Sequence, residues 1–235
     1  MWVYVCLAAL VASALANTEK AIFLGPQAIT IPTTHPNLDD LRIVTITPQN
    51  WTIRTHVNAQ FPSDTASFGK ATWLVLDELT EGQRYELRVC WAATQPTAFR
   101  INTYDLETVF GTPELVTELS EYAWSQQPTD EDASLPSPDS SRAVATKERD
   151  ASVLLLQIMA AADYFTTNQT LMNHVPPVFV DIILDPYIFN LLPQSLVPTV
   201  GYIVIVAIVS WFLAMRISSW IRDAATASDQ ARKDQ

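Results

Sequence analysis

Three acidic residues form the clearest match to a catalytic motif in this sequence. Asp130-Glu131-Asp132 fits the D-x-D pattern with which many nucleotide-sugar glycosyltransferases hold a metal ion. The triplet lies in a polar stretch rich in Pro and Ser, which offers no ordered neighbours to orient the carboxylates. We therefore interpret it as a solvated acidic patch.

The other residues that could do chemistry are scattered. The three histidines lack metal-ligand spacing, and no nucleophile elbow, zinc-protease, P-loop or dinucleotide motif occurs. Asp77, Glu78 and Glu81 flank a tight turn and are typical of exposed turn residues, and Cys90 has no paired base. The sequence thus predicts no catalytic residue, no metal site and no cofactor.

Two apolar runs determine where the rest of the chain can lie. Residues 1–16 form a run too short to span a bilayer, and it ends on small residues, so they are predicted to be a signal peptide. Residues 197–215 carry no charge and are long enough for a transmembrane helix. Arg216 and Arg222 follow, so the positive-inside rule places the polar tail, 216–235, in the cytosol.

The predicted body between these runs is acidic. Residues 17–196 hold 22 acidic and 10 basic residues, which argues against nucleic acid as a partner. Once Cys6 leaves with the signal peptide, Cys90 has no intrachain partner. Sequons at Asn50 and Asn168 are candidate glycosylation sites and agree with a lumenal body.

Residues 17–127 are predicted to form a β-sandwich with one short helix. Short runs of branched and aromatic residues alternate with turn residues, as in sandwich domains. Tyr85 follows Leu79 and Gly82 in the manner of the tyrosine corner of immunoglobulin and fibronectin domains. Its strand should bury Tyr85, Leu87, Val89 and Trp91 on one face and turn Glu86, Arg88 and Cys90 outward.

The second half of the body is less regular. Thr112-Pro113 predicts a helix start, and this helix should run to about residue 127. Residues 128–150 are predicted to be a flexible linker, and 151–185 to supply further strands. The run Ala151–Phe165 is apolar all round, which leaves strand and helix both open, with strand favoured.

An apolar, Pro-interrupted segment, 186–196, joins the body to the predicted span. Its prolines exclude a long helix, while its large side chains need cover from the bilayer interface, the sandwich or another membrane protein. A partner surface is favoured because polar residues stand among the apolar ones. The candidate partner-binding residues are Asp185, Pro186, Phe189, Asn190, Leu192 and Pro193.

Four stretches carry a resemblance to a known family. They are NTEKAIFLGP, YELRVCWAATQPTAF, AADYFTTNQTLM and VDIILDPYIFNLLPQSLVPTVGYIVI. They resemble the fungal accessory subunit of GPI mannosyltransferase II. The resemblance implies a non-catalytic type I protein of the endoplasmic reticulum membrane. It would support a multispanning catalytic subunit that adds the second mannose to the GPI precursor from dolichol-phosphate mannose.

Two other functions remain open from the sequence. A single-pass cargo or trafficking receptor of the early secretory pathway would share the β-sandwich head, although segment 186–196 offers no coiled-coil heptads. A stand-alone lumenal glycosyltransferase would require Asp130 and Asp132 to bind metal. Golgi cycling would favour the receptor, and sugar transfer by the purified body would favour the transferase.

Overall fold

The computed structural model describes residues 16–31, 37–64, 66–126 and 148–233. Outside these residues lie 1–15 of the predicted signal peptide, Asp130–Asp132 and most of the predicted linker, whereas Ala16 is described and begins the first strand. The strands are β1 Ala16–Leu24, β2 Ile29–Ile31, β3 Thr45–Ile46, β4 Thr52–Val57, β5 Lys70–Leu79, β6 Arg84–Ala92, β7 Thr97–Tyr104, β8 Arg149–Ala162, β9 Val178–Ile188 and β10 Leu192–Pro193. The helices are α1 Leu106–Gly111, α2 Pro113–Ser125, α3 Gln169–Asn173 and α4 Val197–Lys233.

Two sheets face each other across an apolar core. In the first, β6 lies between β1 and β9, and β4 and β10 pair with β9. In the second, β8 is central, with β5 on one side and β2 and β7 as further partners, while β3 runs parallel to β5. Strands outweigh helices in the described chain, 41% against 32%, which confirms the predicted mainly β sandwich with one C-terminal apolar helix.

The period-two pattern of β6 is confirmed. Tyr85, Leu87, Val89 and Trp91 are buried in the core, where they meet apolar residues of β9 and the second sheet. Side chains alternate between the faces of a strand, so Glu86, Arg88 and Cys90 lie on the outer face. That outer face is where β6 contributes to the candidate site described below.

Strand β8 explains why the run from Ala151 was ambiguous. It is a strand, as favoured, and both of its faces are buried. One face enters the sandwich core, and the other joins a second apolar cluster with Trp73, Val109 and Leu119 beneath α1 and α2. A strand covered on both faces loses its period-two signal.

The tyrosine corner is present. The backbone N–H of Thr80 donates to the Tyr85 hydroxyl oxygen at 2.9 Å, and this hydroxyl donates to Gln83 Oε1 at 3.1 Å. The likeness to immunoglobulin-like domains is one of architecture and corner. In the strand order observed here, the corner strand β6 pairs with β1 and β9 rather than with its neighbours in sequence.

Replacing Tyr85 with Phe should lower the free energy of unfolding by about 0.5–1.5 kcal/mol, because the part-buried hydrogen bonds of its hydroxyl with the Thr80 N–H and Gln83 Oε1 are lost. Chemical denaturation of the purified protein measures the change. Tyr104→Phe is the matched control, since its half-buried hydroxyl is 3.5 Å from its acceptor. Equal losses in the two variants would contradict a special role for the corner.

The helical region differs from the prediction at its start. One short helix was predicted before residue 128, but a further helix, α1, begins at Leu106, directly after β7 ends at Tyr104. Asp105 stops the strand because its side chain accepts a hydrogen bond from the backbone N–H of Thr108, which caps α1. Helix α2 follows Thr112 as predicted, although the Thr112 side chain makes no capping hydrogen bond.

Candidate functional site at the base of the sandwich

The segment after β9 forms a hairpin with a two-residue turn at Phe189 and Asn190. Both residues have positive φ, 51° and 57°, and the backbone N–H of Leu191 donates to the carbonyl oxygen of Ile188 at 3.1 Å. This is the backbone of a type I′ turn. Asn tolerates a left-handed conformation, whereas Phe adopts it only when its surroundings impose it.

The Asn190 side chain ties the hairpin turn to the neighbouring β5–β6 turn. Its Oδ1 accepts from the backbone N–H of Arg84 at 2.7 Å, and its Nδ2 donates to the carbonyl oxygen of Gly82 at 2.9 Å. Gln83 Nε2 adds a bond to the carbonyl oxygen of Tyr187 at 3.2 Å. The hairpin tip is therefore anchored to the tyrosine corner.

The anchored tip presents large apolar side chains to its surroundings. Phe189 is 91% exposed and Leu191 is 82% exposed. The apolar helix α4 begins six residues after Leu191, and no charged residue lies between Asp185 and Arg216. We call Phe189 and Leu191 the hairpin tip. It is a fixed apolar surface next to the point where the chain enters α4.

The root of the same segment is buried instead. Tyr187 is 8% exposed, Asp185 is 3% exposed and Pro193 is buried. Pro193 pairs with Tyr187, and the Tyr187 hydroxyl donates to Glu86 Oε2 at 3.4 Å. Burial and the nearby Glu86 carboxylate raise the pKa of Tyr187, so the hydroxyl keeps its proton.

A buried carboxylate connects the sheet to the residues before α4. Asp185 Oδ1 accepts from the backbone N–H of Ser195 at 3.1 Å, and Oδ2 accepts from the Ser195 hydroxyl. Arg88 Nη2 donates to Asp185 Oδ2 and to Ser195 Oγ, both at 3.2 Å. We call Arg88, Asp185 and Ser195 the base clamp.

Two carboxylates share Arg88. Its Nε lies 3.6 Å from Glu86 Oε1, close enough for an ion pair but too long for a hydrogen bond. Glu86 also pairs with Lys20 Nζ at 3.3 Å. The side chains of Glu86 and Asp185 are 7% and 4% exposed, so Arg88 compensates the negative charge of two carboxylates that are largely shielded from water.

A second ion pair on the same face has a different character. Arg54 Nε and Nη2 donate to both oxygens of Asp181, at 2.6 and 2.9 Å, and the Arg54 side chain is 67% exposed. The hydrogen bond from Arg54 holds the pKa of Asp181 below its usual value. No contact links this pair to the segment before α4 in the part of the chain that the structure describes.

Helix α4 starts at Val197 and continues to Lys233, well past Met215, where the predicted span ended. Residues 194–223 are long enough to cross a membrane, and their most apolar 18-residue window has a mean hydropathy of 2.3. Pro198 lies in the first turn, where its missing donor costs little. The continuation follows from a stretch without Gly or Pro, 216–233.

The structure gathers the six predicted partner-binding residues around one hairpin and separates them by exposure. Phe189 is exposed, Pro186, Asn190 and Leu192 are half-buried, and Asp185 and Pro193 are buried. Sequence reasoning missed Arg88 and Ser195 as partners of Asp185. The sequence pattern predicted that Arg88 and Asp185 point outward from their strands, but nothing in the sequence showed that they pair.

The remaining sequence candidates lie away from this hairpin. Asn50 and Asn168 are exposed, and Asn168 caps α3 by accepting from the backbone N–H of Thr170 at 3.0 Å. Cys90 is a half-buried free thiol that accepts a hydrogen bond from Thr18. Among the described residues, no three His, Cys, Asp or Glu side chains are grouped to hold a metal ion.

The described residues form a two-sheet β head followed by one apolar helix that is long enough to span a membrane, with an anchored apolar tip that ends six residues before that helix. This architecture is that of a membrane protein with a single spanning helix. A family model described as GPI-mannosyltransferase II co-activator (Pga1) matches residues 7–216. The chain belongs to that family, which confirms the resemblance noted in the sequence. No curated protein and no solved structure matches significantly.

Proposed function

We propose that the protein is a non-catalytic accessory subunit that stabilises the multispanning catalytic subunit of GPI mannosyltransferase II. That subunit adds the second mannose to the GPI precursor. The proposal includes residence in the endoplasmic reticulum membrane, with a signal peptide removed, the sandwich in the lumen and residues beyond the span in the cytosol. Membership of the co-activator family supports it.

The observation that carries the proposal is the hairpin tip. Leaving Phe189 and Leu191 in water is unfavourable, and holding Phe189 at positive φ adds about 1–3 kcal/mol of backbone strain. A preorganised apolar surface loses little side-chain freedom on binding. The hairpin tip ends six residues before α4, which suits a partner protein that lies in the same membrane, with lipid around both proteins.

The segment's roles then separate along the hairpin. Phe189 contacts the catalytic subunit directly, and Leu192 and Pro186 border that contact. Asn190 holds the turn in its binding conformation through Arg84 and Gly82. Asp185 and Pro193 act from within the fold, because their side chains are buried.

Replacing Phe189 with Asp should reduce co-purification of the multispanning subunit from mild detergent by about tenfold or more, the loss expected when an apolar anchor becomes a charge. Cells carrying the variant should accumulate the GPI intermediate with one mannose. Phe165→Asp is the matched control, because Phe165 is 86% exposed but lies before α3, away from the hairpin.

Three outcomes would contradict the proposal. One is equal recovery of the catalytic subunit with Phe189→Asp and with Phe165→Asp. Another is a normal GPI lipid profile in cells that lack the protein. The third is cycling of the protein to the Golgi without any bound mannosyltransferase, as the trafficking-receptor alternative predicts.

A further inference from the structure

The base clamp lies immediately before the span. Ser195 is two residues before the start of α4, and its backbone N–H and hydroxyl both bond to one buried carboxylate. Ser195 belongs to a single 3₁₀ turn, residues 194–196, that leads directly into α4. The turn that leads into α4 is thus tied to the sandwich by side-chain contacts as well as by the chain itself.

Asp185 and Arg88, the other two residues of the base clamp, lie on the central strands of the first sheet. Asp185 belongs to β9, which pairs with β6 on one side and with β4 and β10 on the other. Arg88 lies on β6 and reaches both Asp185 and Ser195. Because β6 and β9 form the centre of the sheet, the clamp connects α4 to a rigid part of the head.

Without the clamp, the connection would be weak. Apart from the clamp, the part of the segment that follows the Asn190 turn is held to the sheet by the two-residue strand β10. A helix joined to a head through a short loop takes its tilt from bilayer thickness and from neighbouring helices. A helix whose preceding turn is bonded to the head is restrained in direction by the head.

We propose that Arg88, Asp185 and Ser195 are positioning residues that fix the direction of α4 relative to the β-sandwich. The head and the span then reach the membrane as one rigid unit, and the hairpin tip has a set height and orientation over the lumenal leaflet. This inference concerns the geometry of the protein itself and stands whether or not the proposed partner is correct.

Spin-label distances measure that geometry in the full-length protein in lipid nanodiscs. One label replaces exposed Glu114 on α2 and the other replaces Val204 on α4, in a Cys90→Ser background. The unaltered clamp should give one narrow distance peak. Asp185→Asn should lose the narrow peak, because the charge that holds Arg88 and the acceptor of the Ser195 hydroxyl are gone, which leaves one amide oxygen for the Ser195 N–H. Ser195→Ala should broaden it partially.

Asp181→Asn is the matched control. Asp181 lies on the same strand and face as Asp185 and also pairs with an arginine, but it does not contact the segment before α4. It should keep the narrow peak. Ser195→Ala retains the Asp185–Arg88 pair, so it still tests the inference if Asp185→Asn does not fold. The thermal unfolding of each variant is measured as well, because an unchanged midpoint shows that a broad distance distribution comes from a lost helix direction and not from a lost fold.

A broad distribution with the clamp intact would overturn the inference. So would a narrow peak in both Asp185→Asn and Ser195→Ala, or equal broadening in Asp181→Asn. A narrow peak that is lost only in the clamp variants supports it even if co-purification with the mannosyltransferase fails, since the distance measurement requires no partner.

Discussion

Replacing Arg88 with Met should lower the free energy of unfolding by about 3–5 kcal/mol, the usual cost of removing one partner from a buried ion pair. Arg88 is the shared cation of Glu86 and Asp185, whose side chains are 7% and 4% exposed. Met retains most of the apolar stem, so the loss reports the missing charge and hydrogen bonds. Urea unfolding of the purified protein measures it.

Two comparisons identify the cause of that loss. Arg54→Met removes an exposed pair on the same face and should cost about 1 kcal/mol or less. Adding Asp185→Asn to Arg88→Met should recover part of the stability, because one uncompensated carboxylate is removed. If Arg54→Met proves as damaging as Arg88→Met, burial of the clamp is not the reason.

Replacing Gly69 with Ala should cost about 3 kcal/mol, through a left-handed backbone and overpacking together. Gly69 has φ +81°, and a Cβ there would lie 1.9 Å from the carbonyl oxygen of Ala160. That oxygen belongs to β8, the central strand of the second sheet, so relief requires movement of buried backbone. Thermal or urea unfolding measures the loss.

Gly82→Ala separates the cost of the left-handed backbone from the cost of overpacking against β8. Gly82 also has positive φ, +71°, but a Cβ there would meet nothing within 4 Å. It should lose only the conformational part, about 1 kcal/mol. The difference between the two variants isolates the contact with β8, and equal losses would show that the contact has no energetic role.

Comparing the two glycines shows what a sequence can reveal. Gly69 stands directly before β5 and Gly82 stands between β5 and β6, and neither local sequence shows which of the two glycines is crowded. The close approach of Gly69 to β8 depends on how β5 pairs with residues that lie 73 to 90 positions further along the chain. The same limit applies to the partners of Asp185, which lie in β6 and in the turn before α4.

The sequence by itself determined the elements whose signals are local. The alternation of β6 and β9, the tyrosine corner, the helix after Thr112 and the apolar span all follow from the period of strands and helices and from the length of an uncharged run. These signals depend on the backbone of one segment, so distant residues do not alter them. The family resemblance was also contained in continuous stretches.

Only the tertiary structure decided which charged residues meet. Arg88 is 97 residues from Asp185 and 107 from Ser195, and the register between β6 and β9 brings them together. That register is fixed by burying Leu87, Val89, Ile182 and Leu184 on the inner face. The same register sets which residues are neighbours on the outer face, and it places Asp185 where it bonds to Ser195 before the span.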